Sequence, residues 1–272
     1  MFLYLEYPGN NLSVFGILPK NLYIHFSVIY RHCDFRQIDL DAFIRVTNMD
    51  THAFKSGIAV IITVGKLDSN LYEPNRNEND VDIACLSSRF QELGFETVIC
   101  SDFTVKEIKE TFNEIKERKE DLTKIDCLLI AVLSYGEKNI IYAKDDVIQI
   151  EAVVGQFSSE NCPELASKPK IFIFQASKLK KKEDPNQADA KGRNDDEEGP
   201  YADKSEYLVG VPKESLIVVT RSETNVSRIL ANAFENVKTG EDIETLFNEI
   251  RTVLSDMVMD SYLQKKLVLK PK

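Results

Sequence analysis

Four short, nearly uninterrupted apolar runs constrain this chain more than any other feature. They are GIAVIITV from Gly57, CLLIAVLSYG from Cys127, KIFIFQ from Lys170 and SLIVVT from Ser215. Each is apolar at consecutive rather than alternate positions. A strand of that kind has to be covered on both faces. Between them lie segments with helical spacing. The stretch ENDVDIACLSSRFQELGF predicts an amphipathic helix with Val81, Ala84, Cys85, Phe90 and Leu93 near one face and Gly94 as its stop. A further strand, FETVIC, follows. Thr104 and Glu107 form a capping box for a helix running to Lys119. NIIYAKDD reads as an antiparallel ribbon, VIQIEAVVGQF as a short helix, and the strand KIFIFQ ends at Gln175. SETNVSRILANAFENV and GEDIETLFNEIRTVLSDMV read as two more helices. The first starts at a Ser/Thr cap, and the second carries Ile243, Leu246, Ile250 and Leu254 at helical spacing. This alternation predicts an α/β fold: a mostly parallel central sheet with helices on both faces.

Charge and side-chain inventory narrow the function classes. The 272 residues carry a formal net charge of -10, which argues against nucleic-acid binding that depends on neutralising phosphates. No apolar run reaches the ~20 residues that cross a bilayer. The N-terminal MFLYLEYPGNN has an early Glu6 and no basic region, so it is a poor signal peptide. Five scattered cysteines, Cys33, Cys85, Cys100, Cys127 and Cys162, form no CxxC pair. They fit buried free thiols in a reducing, cytoplasmic setting rather than a disulfide framework or a zinc site. No metal and no cofactor are expected. Only three histidines occur, His25, His32 and His52, and none follows Lys55. Cys127 and Cys162, with no histidine near them in sequence, read as packing thiols rather than nucleophiles.

Residues 1–55 read as a short, partly irregular N-terminal extension. Residues 178–206 are charged and almost free of aliphatic side chains, which marks a linker.

The order of local runs resembles the caspase catalytic domain from residue 57 to the end. ENDVDIACL resembles the region after the family's first specificity-pocket arginine, with Arg76 four residues before Asp80. LSYGEKNIIYAKDD is similar to its Ser-His-Gly run and hairpin. KPKIFIFQAS is similar to the strand that delivers the nucleophile, and the charged segment lies where the family carries its intersubunit linker. The resemblance implies a caspase-like three-layer sandwich. Residues 56–177 would be the large-subunit-like region, 178–206 the linker, and 207–272 a shortened small-subunit-like region ending in LVLKPK. It also implies departures. Tyr135 stands at the histidine position and Ser177 at the cysteine position. Lys178-Leu179 replaces Arg-Gly, and after SLIVVT the family's long Ser-Trp-Arg loop is missing from a chain without tryptophan.

A phenol keeps its proton at neutral pH and is no general base, and a serine hydroxyl depends wholly on its base. The resemblance therefore implies a pseudoenzyme lacking the Cys–His dyad. Gly136 would be an oxyanion-type remnant, and Arg76 with Gln175 an aspartate-pocket remnant. Asp189, before Ala190, reads as a processing site for an active caspase. The expected function is regulation of an active caspase in apoptosis through a heterodimer, either activating or inhibiting, as in the family's long FLICE-inhibitory protein. No nucleic acid, membrane or small-molecule cofactor is expected as a partner. Three alternatives stay open: a decoy that binds substrates or inhibitors, a residual peptidase using Ser177, and a plain interaction domain with no caspase partner.

Overall fold

The computed structural model describes residues 3–6, 12–17, 23–28, 51–68, 72–73, 80–137, 139–181, 211–235, 237 and 241–269. The chain divides into two units, Met1–Asn48 and Met49–Lys272. In the first, strands β1 (Leu3–Glu6), β2 (Leu12–Ile17) and β3 (Tyr23–Val28) form an antiparallel sheet, with Leu3 opposite Gly16 and Leu12 opposite Val28. These strands are not announced by the sequence, because their runs lack the doubly apolar character of the strands that follow.

The second unit opens with β4 (Thr51–Ala53), β5 (Gly57–Thr63) and β6 (Tyr72–Glu73). Helix α1 (Asp80–Leu93), β7 (Phe95–Ser101), α2 (Val105–Glu117) and α3 (Lys119–Lys124) come next. Then follow β8 (Cys127–Glu137), β9 (Ile140–Tyr142), β10 (Val147–Gln149), α4 (Ile150–Gly155), β11 (Lys170–Ser177) and β12 (Lys180–Lys181). The unit closes with β13 (Ser215–Thr220), α5 (Val226–Glu235), α6 (Ile243–Val253), β14 (Val258–Ser261) and β15 (Lys266–Val268).

The central sheet runs β7-β5-β8-β11-β13-β14. Its first five strands are parallel, and β14 lies antiparallel to β13 at the edge, with Leu216 opposite Ser261 and Ile217 opposite Asp260. The end of β8 leaves the parallel layer to pair with the β9–β10 hairpin. Beside the sheet, β4 pairs parallel with β15 and β6 antiparallel with β12.

Alternate residues of each strand feed two separate cores, as the two-residue period of a strand requires. Ile61, Leu129, Leu133, Ile173 and Val218 face α1, α5 and α6; Ile62, Ile130, Val132, Phe172 and Phe174 face α2, α3 and α4. In the first core, a run of aromatic rings ties the helices together. Phe90 of α1 lies 5.8 Å from Phe95 and 5.1 Å edge-to-face from Phe234 of α5, and Phe234 lies 6.2 Å from Phe247 of α6. The expected α/β sandwich is the observed fold.

Local corrections follow from tertiary packing. The buried face of α1 is Ile83, Leu86, Ser87, Phe90 and Leu93, while Val81, Ala84 and Cys85 are exposed. Ser87 is tolerated inside because its hydroxyl donates to Thr97 Oγ1 at 3.0 Å. Gly94 ends α1 in the left-handed region (φ 106°), as expected. The Thr104–Glu107 capping box is formed, but α2 stops before Arg118, whose guanidinium grips both carboxylate oxygens of Glu96 at 2.8 and 2.7 Å. Val147–Gln149 is a strand, so the helix after it is only six residues long. The cap of α5 is Asn225, whose Oδ1 accepts from Arg228 N at 2.9 Å, rather than a serine or threonine. Helix α6 ends at Val253, and part of its expected C-terminal stretch becomes edge strand β14. The edge of the sheet is thus Val258–Ser261, while the LVLKPK segment supplies β15 and pairs with β4.

Candidate functional site

In an open parallel sheet, chemistry collects beyond the carboxyl ends of the strands. Strand β11 runs to Ser177, two residues past the expected end at Gln175, because its pairing with β8 continues until Ser177 lies beside Tyr135. Ile171 and Ile173 of β11, and Leu129, Ala131 and Leu133 of β8, line the first core. By the two-residue period, Gln175, Ser177 and Tyr135 face that same side. The sheet therefore brings together three of the residues singled out from sequence. Tyr135 is 1% exposed, Gln175 2% and Ser177 4%.

The hydrogen bonds at this strand end are internal. Ser177 Oγ donates to the carbonyl of Ser222 at 3.0 Å and accepts from Gln175 Nε2 at 3.1 Å. The same Nε2 reaches the carbonyls of Ser222 at 3.1 Å and Thr224 at 3.3 Å. The five-residue connection 221–225 between β13 and α5 supplies these acceptors, and carboxylates hold both of its ends. Asp256 accepts from Thr220 Oγ1 at 2.9 Å and from Arg221 N at 2.8 Å. Asp82, in the first turn of α1, accepts from Asn225 Nδ2 at 2.6 Å.

Gly136 lies beside this cluster on the opposite face of β8. A Cβ there would come within 2.7 Å of Ala176 Cβ and collide with the carbonyl of Ile140. Packing alone therefore demands glycine at this position. Lys178 is exposed and follows the last strand residue, so it leaves the buried face on which Ser177 lies. Arg76 and Asp189 lie outside the described residues, as does most of the 178–206 segment.

Three of the four described thiols are placed as packing groups. Cys100, Cys127 and Cys162 are buried, and burial pushes all three above their ordinary pKa, away from the thiolate that a nucleophile needs; Cys85 is exposed on α1. Among the described residues, no cluster of three or more His, Cys, Asp or Glu is placed to hold a metal, and no helix is long and apolar enough to cross a membrane.

Sequence reasoning missed Ser222, Thr224, Asn225, Asp82 and Asp256. The one available signal was the short gap between SLIVVT and the next helix. It announces a tight connection but not which carbonyls that connection turns inward.

Comparison with known proteins places this geometry. The Caspase domain family matches residues 56–268. Caspase-6 from Bos taurus is 36% identical over 144 residues, 51% of this chain and 48% of that protein. Caspase drICE from Drosophila melanogaster is 34% identical over 102 residues, 38% of this chain and 30% of that protein. The chain spans about half the length of the curated caspase-6 relatives it matches. Among solved structures, that of pro-sf-caspase-1 superposes with a TM-score of 0.64 at 23% identity, over 89% of this chain and 97% of the other, and so shares the fold. A family match over most of the second unit coincides with its parallel sheet and its strand-end cluster, and the chain belongs to the caspase domain family.

Proposed function

We propose that this chain is a catalytically inactive caspase homologue that acts by binding an active caspase through its edge strand and changing that partner's activity. The observation that carries the reading is the state of Ser177. Its hydroxyl is spent as a donor to a backbone carbonyl and as an acceptor from Gln175, beside a buried tyrosine and with no histidine anywhere after His52. Hydrolysis by a serine needs a base within hydrogen-bond reach of that hydroxyl. A main-chain carbonyl holds the proton but does not take it up at neutral pH. The role of Tyr135 and Ser177 is then architectural, and function passes to surfaces.

Strand β14 supports the second half of the reading. It lies at the end of the sheet order, half-exposed, with Ser261 and Tyr262 open to solvent. Among the described residues no strand pairs with its outer side, and such an edge is a ready acceptor of another strand. A bound chain shifts its mate only by preferring the mate's active or inactive state, so the same edge serves activation or inhibition.

The test mixes the protein with an active caspase and follows hydrolysis of an aspartate-containing fluorogenic peptide. A change in the partner's rate that persists in Ser177→Ala is the expected result, and its sign names activator or inhibitor. Hydrolysis by this protein alone, lost in Ser177→Ala, would reverse the reading in favour of a serine peptidase. No effect on any of several active caspases would remove the regulatory role.

A further inference from the structure

The sequence of β14 carries information about which partner its edge accepts. The strand reads Val258-Met259-Asp260-Ser261: one carboxylate among otherwise uncharged residues. Asp260 lies directly opposite Ile217 of β13, which is 4% exposed and packs in the second core. Its side chain is therefore on the face where an added strand would also place its residues, and it is half-exposed.

Two copies of the chain joining edge to edge in a continuous sheet would be related by a two-fold axis normal to that sheet. Such an axis keeps each face on its own side, so it passes through a residue rather than between residues. Two registers pair three of the four strand residues with one another, and every other register pairs fewer. With the axis at Asp260, the two carboxylates oppose each other directly. With the axis at Met259, each Asp260 faces Val258 of the other copy, and the carboxylates become diagonal neighbours about 8 Å apart. That separation is about one screening length at physiological salt, so the repulsion is felt in either register. The net charge of -10 on each copy adds to it.

We infer that Asp260 disfavours pairing of β14 with a second copy of this chain and selects an edge strand bearing a lysine or arginine opposite it. This rests on the reading that β14 is the docking edge, and it names the chemistry of the partner. The carboxylate costs little while half-exposed in the free protein, is repelled by its own copy, and is neutralised by a basic residue across the new pair.

The test needs no active caspase, so its failure is distinct from failure of the regulatory role. Sedimentation equilibrium is run at physiological salt on wild type, Asp260→Asn, Asp260→Lys, and an equimolar mixture of wild type with Asp260→Lys. Circular dichroism confirms that each variant is folded. The mixture is expected to associate about ten-fold more tightly than wild type or Asp260→Lys alone, with Asp260→Asn tighter than wild type. High salt should erase the advantage of the mixture. Wild type associating as tightly as the mixture would overturn the inference. So would a mixture no tighter than its separate components, including one in which nothing associates.

Discussion

The carboxyl end of β11 and the outer edge of β14 lie in the same sheet and could hardly differ more. At the first, the side chains of Gln175 and Ser177 bond to each other and to the carbonyls of a five-residue connection. At the second, a four-residue strand pairs on one side only among the described residues. The strand end, where a sheet of this kind ordinarily keeps reactive groups, is saturated from within. Among the described residues the edge, which natural sheets usually blunt, is left open apart from one carboxylate.

The contrast breaks first through the core that supports the closed end. Phe90→Ala removes the ring that joins α1 to α5, and with it the platform that sets Asp82 against Asn225. A loss of about 3–5 kcal/mol in chemical denaturation is expected. A loss under about 1 kcal/mol would mean the helices are held elsewhere.

Next comes the opposite end of β11. Lys170 is 1% exposed, and its Nζ donates to the carbonyls of Leu165 at 2.8 Å and Lys168 at 2.7 Å. Burial depresses its pKa from the ordinary 10.5 to about 8. The folded protein therefore releases this proton before the unfolded chain does. The neutral amine's contribution is fully present above pH 10.5 and is lost as pH falls from there through about 8. The buried thiols act in the opposite sense at alkaline pH, so the measurement is the difference between wild type and Lys170→Met. Wild type should gain up to about 3 kcal/mol on that variant between pH 8 and pH 10.5. A flat difference would show that water reaches Nζ.

The closure itself is probed by Gln175→Ala, which strips the amide donor from Thr224 O and leaves Ser222 O with Ser177 Oγ alone. About 2 kcal/mol of stability should go. In a Ser177→Cys background, thiol modification should speed up about ten-fold when Gln175 is also replaced, because the segment opens more often. Unchanged labelling would mean that closure does not depend on the amide. The smallest effect is expected from Asn225→Ala, about 1 kcal/mol in thermal or denaturant unfolding, from the lost cap of α5 and its link to Asp82.

Much of this architecture is written in the chain. Parallel strands buried on both faces leave continuous apolar runs, so β5, β8, β11 and β13 stand out at once. The capping box at Thr104 and Glu107 is equally plain, because both halves are side chains. Two stripes on α1 were confused because both are largely apolar. Val81, Ala84 and Cys85 look as buried as Ile83, Leu86 and Phe90, and only packing against α5 chooses between them. Strand β14 was hidden because it directly follows a strong helical pattern. The juxtaposition of Tyr135, Gln175 and Ser177 followed from the resemblance, whereas the carbonyls that occupy Gln175 and Ser177 left no mark, since every residue carries one.

The pairing of β4 with β15 bears on how the protein is made. Thr51 meets Lys266 across more than two hundred intervening residues, and Leu267 and Leu269 complete the core beside Phe54. A ribosome delivers Phe54 more than two hundred residues before Leu269, so throughout that interval the nascent chain holds a core with one wall missing. The final hydrophobic contacts become available only once residues 266–269 have cleared the exit tunnel. Chains that stall before that point would present Phe54 and Phe95 to chaperones or proteases rather than to Leu267.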